Sequence, residues 1–238
     1  MRNVVVGAPP PTATIERVDT QLGWEFMQVY GLTETSPILT LNRRRAEWDR
    51  LSPTGRARQL AQAGPPVIGV RLRAGEDGEV HARANVVFAG YWQQPEATAE
   101  AVPDGWFRTG DGGTTDKRGY LTVSDRKKDV IITGGENVSS IEVEDCLCQH
   151  PAVAEAAVIG VPDARWGESV KALVVLRPGT AAAPAEADLI AHCRDRLAHF
   201  KCPTSVKFPD GLARTATGKV QKFKLRSRYW AGRDRLVS

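Results

Sequence analysis

The residues equipped to act on a phosphorylated ligand fall in one short stretch. Thr109-Gly110-Asp111 is followed by Ser124-Asp125-Arg126-Lys127-Lys128-Asp129, and then by Thr133-Gly134-Gly135-Glu136-Asn137. A carboxylate, several cations and a tight turn thus lie close together, bounded by apolar runs. A nucleotide needs such groups: an acid for ribose hydroxyls, cations for phosphate, and glycine where backbone approaches the ligand. Two more blocks flank them, Tyr30-Gly31-Leu32-Thr33-Glu34-Thr35 early and Arg214-Thr215-Ala216-Thr217-Gly218-Lys219 late. Glu34 is a candidate Mg2+ ligand, because that ion takes one or two carboxylates and completes its shell with phosphate and water. The Gly218-Lys219 step is not a Walker A loop: Val220 stands where Ser or Thr belongs, and no glycine lies five residues before Gly218.

The elements that must position these blocks follow from patterning. Asn3–Val6 reads as a strand, residues 12–21 as a helix and Phe26–Tyr30 as a second strand. That order implies a right-handed parallel unit, whose ligands bind beyond the carboxyl ends of the strands. Residues 42–66 are polar and read as a surface excursion with a short helix. From Val67 the period changes to alternation, with strands expected at 67–73, 79–84 and 86–92, a helical turn at 94–101, and a hairpin pairing 106–110 with 120–123. A small antiparallel, barrel-like sheet is the result. Ser139 and Glu142 have capping-box spacing, so a helix should run to about residue 149. Strands at 153–161 and 170–176, a helix over 186–199, a strand at 205–208 and a basic helix from Lys219 complete an α+β module. The division is therefore 1–125 (α/β over 1–41, β-rich over 64–124) and 126–238.

Composition is ordinary for a globular chain of 238 residues, with 42% hydrophobic and 25% charged residues. No apolar run reaches membrane-spanning length; the longest, around 130–132 and 172–176, read as buried strands, and the first residues hold too short an apolar stretch for a secretory signal. A cytoplasmic location is the expectation. The net charge of +4 gathers late, at Lys219, Lys222, Lys224, Arg226 and Arg228. That cluster is either a solvated face or an attractor for a polyanionic cofactor, and no nucleic-acid motif accompanies it. Cys146, Cys148, Cys193 and Cys202 show no disulfide framework. Cys146 and Cys148 lie two apart in a helix and do not share a face; with His150 they are either a metal site or thiols packed as small hydrophobes.

All the blocks together, in this order, resemble the AMP-forming acid–CoA ligases of the adenylate-forming superfamily over nearly the whole chain. The resemblance implies activation of a carboxylic acid with ATP to an acyl-AMP and transfer of the acyl group to CoA. ATP/AMP, Mg2+ and CoA are its small-molecule requirements. It also implies a role for each matching residue. Gly7, Ala8 and Pro9 form part of the adenine and acyl-pocket wall, Tyr30 and Gly31 border the adenine, Thr33 donates to phosphate, and Glu34 ligates Mg2+. Asp111 accepts from both ribose hydroxyls. Relatives commonly follow that acid with an apolar residue and then glycine, so Gly112-Gly113 is a departure expected to loosen the neighbouring loop. Arg126 reaches the nucleotide, and Lys128 is the hinge between a large domain and a small mobile one. The glycine turn lines the pantetheine passage, with Gly135 where a Cβ would narrow it and Trp166 close by. Lys219 swings in to offset charge as the carboxylate attacks the α-phosphate and pyrophosphate leaves.

The composition of the glycine turn favours a CoA ligase over a peptide-synthetase adenylation domain. Ser139–Glu144, Arg165–Glu168 and Val220–Phe223 look most like ligases of short-chain, medium-chain or aromatic acids. Such enzymes carry a Ser/Thr/Gly-rich phosphate loop with a lysine before the Tyr-Gly-Leu-Thr-Glu block, and residues 1–29 contain none. The chain thus resembles a truncated ligase, active only with an N-terminal half supplied. The alternative is a non-catalytic remnant that binds nucleotide, CoA or a protein partner. In either case the first strand is expected to lack a sheet neighbour and to expose an apolar edge.

Overall fold

The computed structural model describes residues 1–6, 10–180, 183–216 and 218–232. The chain divides into two compact units, Met1–Ser124 and Asp125–Ser238. In the first, β1 (Arg2–Val6) and β2 (Glu25–Tyr30) are parallel, in register from Arg2↔Glu25 to Val6↔Val29, and α1 (Thr12–Leu22) crosses between them. The helix stops where Gly23 turns left-handed, φ 61°, and gives its N–H to the Val18 carbonyl. Ile15 anchors α1 in a core with Phe26, Trp48, Leu60 and Tyr120. A third strand, β3 (Thr40–Arg43), pairs antiparallel with β2 and overlaps only the first two residues of what reads from sequence as a polar excursion. The helix expected there is α2 (Pro53–Leu60), which starts at Ser52 because its hydroxyl accepts the Gly55 N–H at 3.1 Å.

The sheet order is β1-β2-β3, so β1 lies at an edge. Its burial alternates, and Val4 and Val6 are each 54% exposed. The exposed apolar strand expected from sequence is present among the described residues, but β1 does have one sheet neighbour, β2.

The alternating segment builds a four-stranded sheet of β4 (Arg71–Ala74), β5 (Glu79–Arg83), β6 (Phe107–Thr115) and β7 (Leu121–Arg126), in that order. α3 (Pro95–Ala101) precedes β6. The strand expected over 86–92 does not form. The Phe88 N–H goes to the Glu34 carbonyl at 2.8 Å instead of a ladder partner, and Gly90 takes φ 153°. Phe88 then packs edge-on against Tyr91 and Phe107. Tyr30, Leu39, Val80 and Leu121 make one core between the two sheets of this unit.

The second unit opens with β8 (Ile131–Thr133), where the apolar run at 130–132 reads as a strand from sequence, and with β9 (Glu136–Val138), which periodicity does not announce; α4 (Ser140–Cys148) follows. Ser139 caps α4 as expected, accepting the Glu142 N–H at 3.4 Å. β10 (Val153–Asp163) and β11 (Gly167–Leu176) form a long antiparallel pair. α5 (Glu186–Arg194) is shorter than the pattern implies, and β12 (Ser205–Lys207) joins β11 in parallel. α6 (Lys222–Trp230) begins three residues after Lys219, because Arg214–Val220 forms a separate turn first. Strand alternation splits β10 between two cores: Val158 faces α4 and α5 with Val143, Leu147 and Leu189, while Ala157 and Ile159 face Leu225 of α6. All four cysteines are buried free thiols, and all four lie in the first of these cores with Leu147 and Leu189. No helix among the described residues is long and apolar enough to cross a membrane.

Candidate functional site

β2 delivers Tyr30 to its carboxyl end and passes into Gly31. A Cβ at Gly31 would lie 1.7 Å from the Pro37 carbonyl oxygen, so only glycine fits this close return of the chain. The turn that follows, Thr33–Thr35, is held by Thr35 rather than Thr33. The buried Thr35 hydroxyl donates to the Leu32 carbonyl at 3.0 Å and accepts the Leu32 N–H at 2.9 Å. Thr33 is left exposed beside Glu34. The Glu34 carboxylate accepts a hydrogen bond from the Tyr91 hydroxyl at 3.1 Å. Partial burial, and then this bond, push the Tyr91 phenol above its ordinary value. One carboxylate next to an exposed hydroxyl is a hard-oxygen donor set that suits Mg2+, which leaves most of its shell to phosphate and water.

Asp111 comes to the same place from the other sheet. The Tyr30 hydroxyl donates to Asp111 Oδ2 at 2.9 Å, and both residues are 7% exposed. The Tyr30 ring, expected to border adenine, packs with Leu39 and Val80 while its hydroxyl engages the acid. The Thr109-Gly110-Asp111 step is held locally. Thr109 Oγ1 donates to the Val80 carbonyl at 2.7 Å and accepts the Asp111 N–H at 3.1 Å, and Gly110 adopts φ 72°. Glu79, buried and not singled out from sequence, accepts the Gly110 N–H at 2.8 Å. Its place at the start of a strand beside a turn carried no chemical signal. The Gly112-Gly113 departure does not loosen a loop, since both residues lie within β6. A Cβ on Gly113 would meet Val80 at 2.8 Å and the Thr122 carbonyl at 2.9 Å, so the second glycine is required by packing. Among the described residues one group of potential metal ligands stands out, Asp77, Glu79 and His81, with ligand atoms within 4.8 Å of one another. Cys146, Cys148 and His150 form no such group there. Gly7, Ala8 and Pro9 lie outside the described residues.

In the second unit the glycine turn and Trp166 come together. The Gly134 N–H donates to the Trp166 carbonyl at 2.9 Å, and a Cβ on Gly134 would sit 2.9 Å from the indole. Gly135, at φ 86°, has nothing within 4 Å of its Cβ position. Within this unit it is Gly134, not Gly135, that packs against the indole. Asp163 shapes the turn before Trp166 by accepting the Arg165 and Trp166 N–H groups at 2.8 and 3.0 Å, which hold its carboxyl below the usual range.

Arg126 and Lys128 are exposed on a single turn between Asp125 and Asp129. Lys219 is exposed on the tight Arg214–Val220 turn, where its N–H donates to Thr215 Oγ1 at 3.0 Å and Gly218 takes φ 86°. The basic cluster after it is not one solvated face. Lys222 and Arg226, with side chains 17% and 13% exposed, turn inward, and Lys224 and Arg228 stay outside. The Lys222 ammonium lies 2.7 Å from Glu144 and 3.5 Å from Asp125. Burial opposes its charge, but the two carboxylates outweigh that and hold its pKa above the ordinary lysine value. Burial in turn keeps the Glu144 carboxyl above its usual value, against the pull of Lys222.

Both units resemble known proteins. Residues 1–92 match the AMP-binding enzyme family and residues 142–219 match the AMP-binding enzyme C-terminal domain. A 2-methylpropanoate–CoA ligase from Humulus lupulus is 42% identical over 94% of this chain and 43% of its own length. The ATP-bound enzyme MatB from Rhodopseudomonas palustris superposes with a TM-score of 0.84 at 36% identity, covering 97% of this chain and 46% of that one. An anthranilate CoA ligase in complex with anthranoyl-AMP gives 0.83 at 32% identity, over 96% of this chain and 44% of the other. The chain thus spans less than half the length of the relatives it matches. With both of its units matched in this way, the chain belongs to the adenylate-forming AMP-binding enzymes and carries their C-terminal domain.

Proposed function

We propose that this chain provides the ribose- and metal-binding edge and the mobile C-terminal lobe of an AMP-forming acid–CoA ligase. The observation that carries the reading is the Tyr30–Asp111 hydrogen bond. It joins the two blocks assigned to one nucleotide across 81 residues of sequence, at the carboxyl end of a parallel strand. In this function Asp111 accepts from the ribose hydroxyls, Thr33 donates to phosphate and Arg126 reaches the nucleotide. Glu34 would hold Mg2+, which supplies charge neutralisation at the phosphates. The Lys219 ammonium offsets the charge that develops as the acid's carboxylate oxygen bonds to the α-phosphorus and the bond to pyrophosphate breaks. In the second half-reaction the CoA thiolate attacks the acyl carbonyl and AMP departs. The turn at Gly134 and Gly135, with Trp166, lines the pantetheine passage, and Lys128 is the pivot between half-reactions.

The acid is of short-chain, medium-chain or aromatic type. The relatives named for 2-methylpropanoate and anthranilate, together with the Arg165–Glu168 and Val220–Phe223 segments, support that class. The matched relatives are more than twice as long, which supports a role that depends on further protein supplying the phosphate loop. The test is ATP–pyrophosphate exchange with a panel of such acids, on the chain alone and with an N-terminal half from a relative. Acid-dependent exchange only in the complemented mixture is the expected result. Exchange absent in both, with no AMP binding, would overturn the proposal and leave a non-catalytic remnant.

A further inference from the structure

We propose that the Asp125–Ser140–Lys222 cluster is a latch that holds the second lobe in one orientation and must open when that lobe turns. The inference rests on the pivot at Lys128 in the function proposed above. Asp125 is 2% exposed, an unusual setting for an acid at a domain junction. Its Oδ2 accepts the Ser140 N–H and its Oδ1 the Ser140 hydroxyl, both at 2.5 Å. The Lys222 ammonium completes the cluster, 3.5 Å from Asp125 Oδ1 and hydrogen bonded to the Ser140 hydroxyl. One turn further along α6, Arg226 lies 3.0 Å from Asp129. Lys222 and Arg226 are four residues apart and share a helix face. Both ends of the Asp125–Asp129 segment are therefore fastened to the same lobe.

A pivot inside a segment fastened at both ends cannot turn freely. Asp125 precedes Lys128 in the chain, whereas Ser140, Glu144 and Lys222 all follow it. A large dihedral change at Lys128 moves those partners relative to Asp125 by more than a hydrogen bond can stretch. The contacts within the lobe behave differently. Lys222 keeps Glu144 at 2.7 Å, and Glu144 also accepts the Val158 N–H at 2.7 Å, so this pair travels with the lobe. The latch is thus the Asp125 half of the network, and Lys222 is a positioning residue, three positions from Lys219, that links the pivot to the catalytic turn.

The test uses the chain with spin labels on Glu100→Cys and Lys224→Cys, both exposed positions, and reads the distance distribution between lobes. Asp125→Asn and Asp125→Ala are compared with the parent and with Lys222→Arg. Loss of a hydrogen bond to a charged group should raise any second population at least about tenfold in the Asp125 variants. Lys222→Arg should match the parent. Amide exchange serves as the fold control: Ser140 and Val130 should exchange faster while β10 and β11 hold. An unchanged distance distribution in a variant that passes this control overturns the latch. If Asp125→Ala fails the control, Asp125→Asn decides. No nucleotide or acid enters the measurement, so absence of ligase activity would leave its outcome intact.

Discussion

Replacing Tyr30 with phenylalanine removes a single oxygen from the bond that joins the two sheets of the first unit. The ring and its packing against Leu39, Val80 and Leu121 remain, so no cavity larger than that oxygen is created. What is lost is a 2.9 Å hydrogen bond to a carboxylate in a residue only 7% exposed. A hydrogen bond to a charged group contributes about 1.5–3 kcal/mol, and water has little room to replace this one. Tyr30→Phe should therefore cost about 2 kcal/mol in the first unit. Asp111→Asn keeps an acceptor oxygen and should cost about 1 kcal/mol, with a coupling of about 1–2 kcal/mol in the double-mutant cycle. Because the chain has two units, bulk unfolding is not assumed to be two-state. Amide exchange in β2 and β6 against that in β10 and β11 isolates the effect. AMP affinity, measured by calorimetry on the chain complemented with an N-terminal half, should fall about tenfold as Asp111 loses its orienting donor. If Tyr30→Phe leaves β2 and β6 exchange unchanged and AMP binding intact, the bond is incidental and the site is wrongly built.

Gly31→Ala should be far more disruptive than Gly135→Ala. The first must move the Pro37 carbonyl by about an ångström or more, at a cost of about 3 kcal/mol, and the second adds only left-handed strain of about 1 kcal/mol; thermal melts of the two variants order them. Lys219→Ala in a complemented enzyme should reduce acyl-AMP formation on the order of a hundredfold or more. Thioester formation from preformed acyl-AMP should survive, and equal loss of both half-reactions would remove Lys219 from its assigned role. Alkaline titration followed at 295 nm should show Tyr91 ionising above 10.0, from partial burial first and the Glu34 bond second. Its folded value is raised, so the Tyr91–Glu34 contribution is complete below pH 10 and lost as pH rises through that higher value. Glu34→Gln should bring the titration back toward 10 without reaching it; no change would show that Glu34 does not face the phenol.

What could be read from the linear chain is what depends on residue type over a few positions. The crossover from β1 through α1 to β2, the Ser139 cap and the order of the glycine, acid and lysine blocks all rest on local signals: periodicity, a capping hydroxyl, a residue able to take positive φ. Such signals fail where the deciding partner is remote. Residues 86–92 alternate like a strand, yet the Phe88 N–H finds the Glu34 carbonyl, 54 positions earlier. β9, three residues long, is too short to show a period.

The candidate site divides in the same way. Sequence by itself determined which groups were available: Thr33, Glu34, Asp111, Arg126, the glycine turn, Trp166 and Lys219. Only the tertiary structure decided that Tyr30 aims its hydroxyl at Asp111, that Glu79 holds Gly110, and that Gly134 is the glycine Trp166 covers. It also divided one run of basic residues into inward ion pairs and outward charges, because a helix face is defined by what packs on it. Hydrogen bonds and close contacts join atoms across tens of residues, and no local pattern records which distant partner will fill the space.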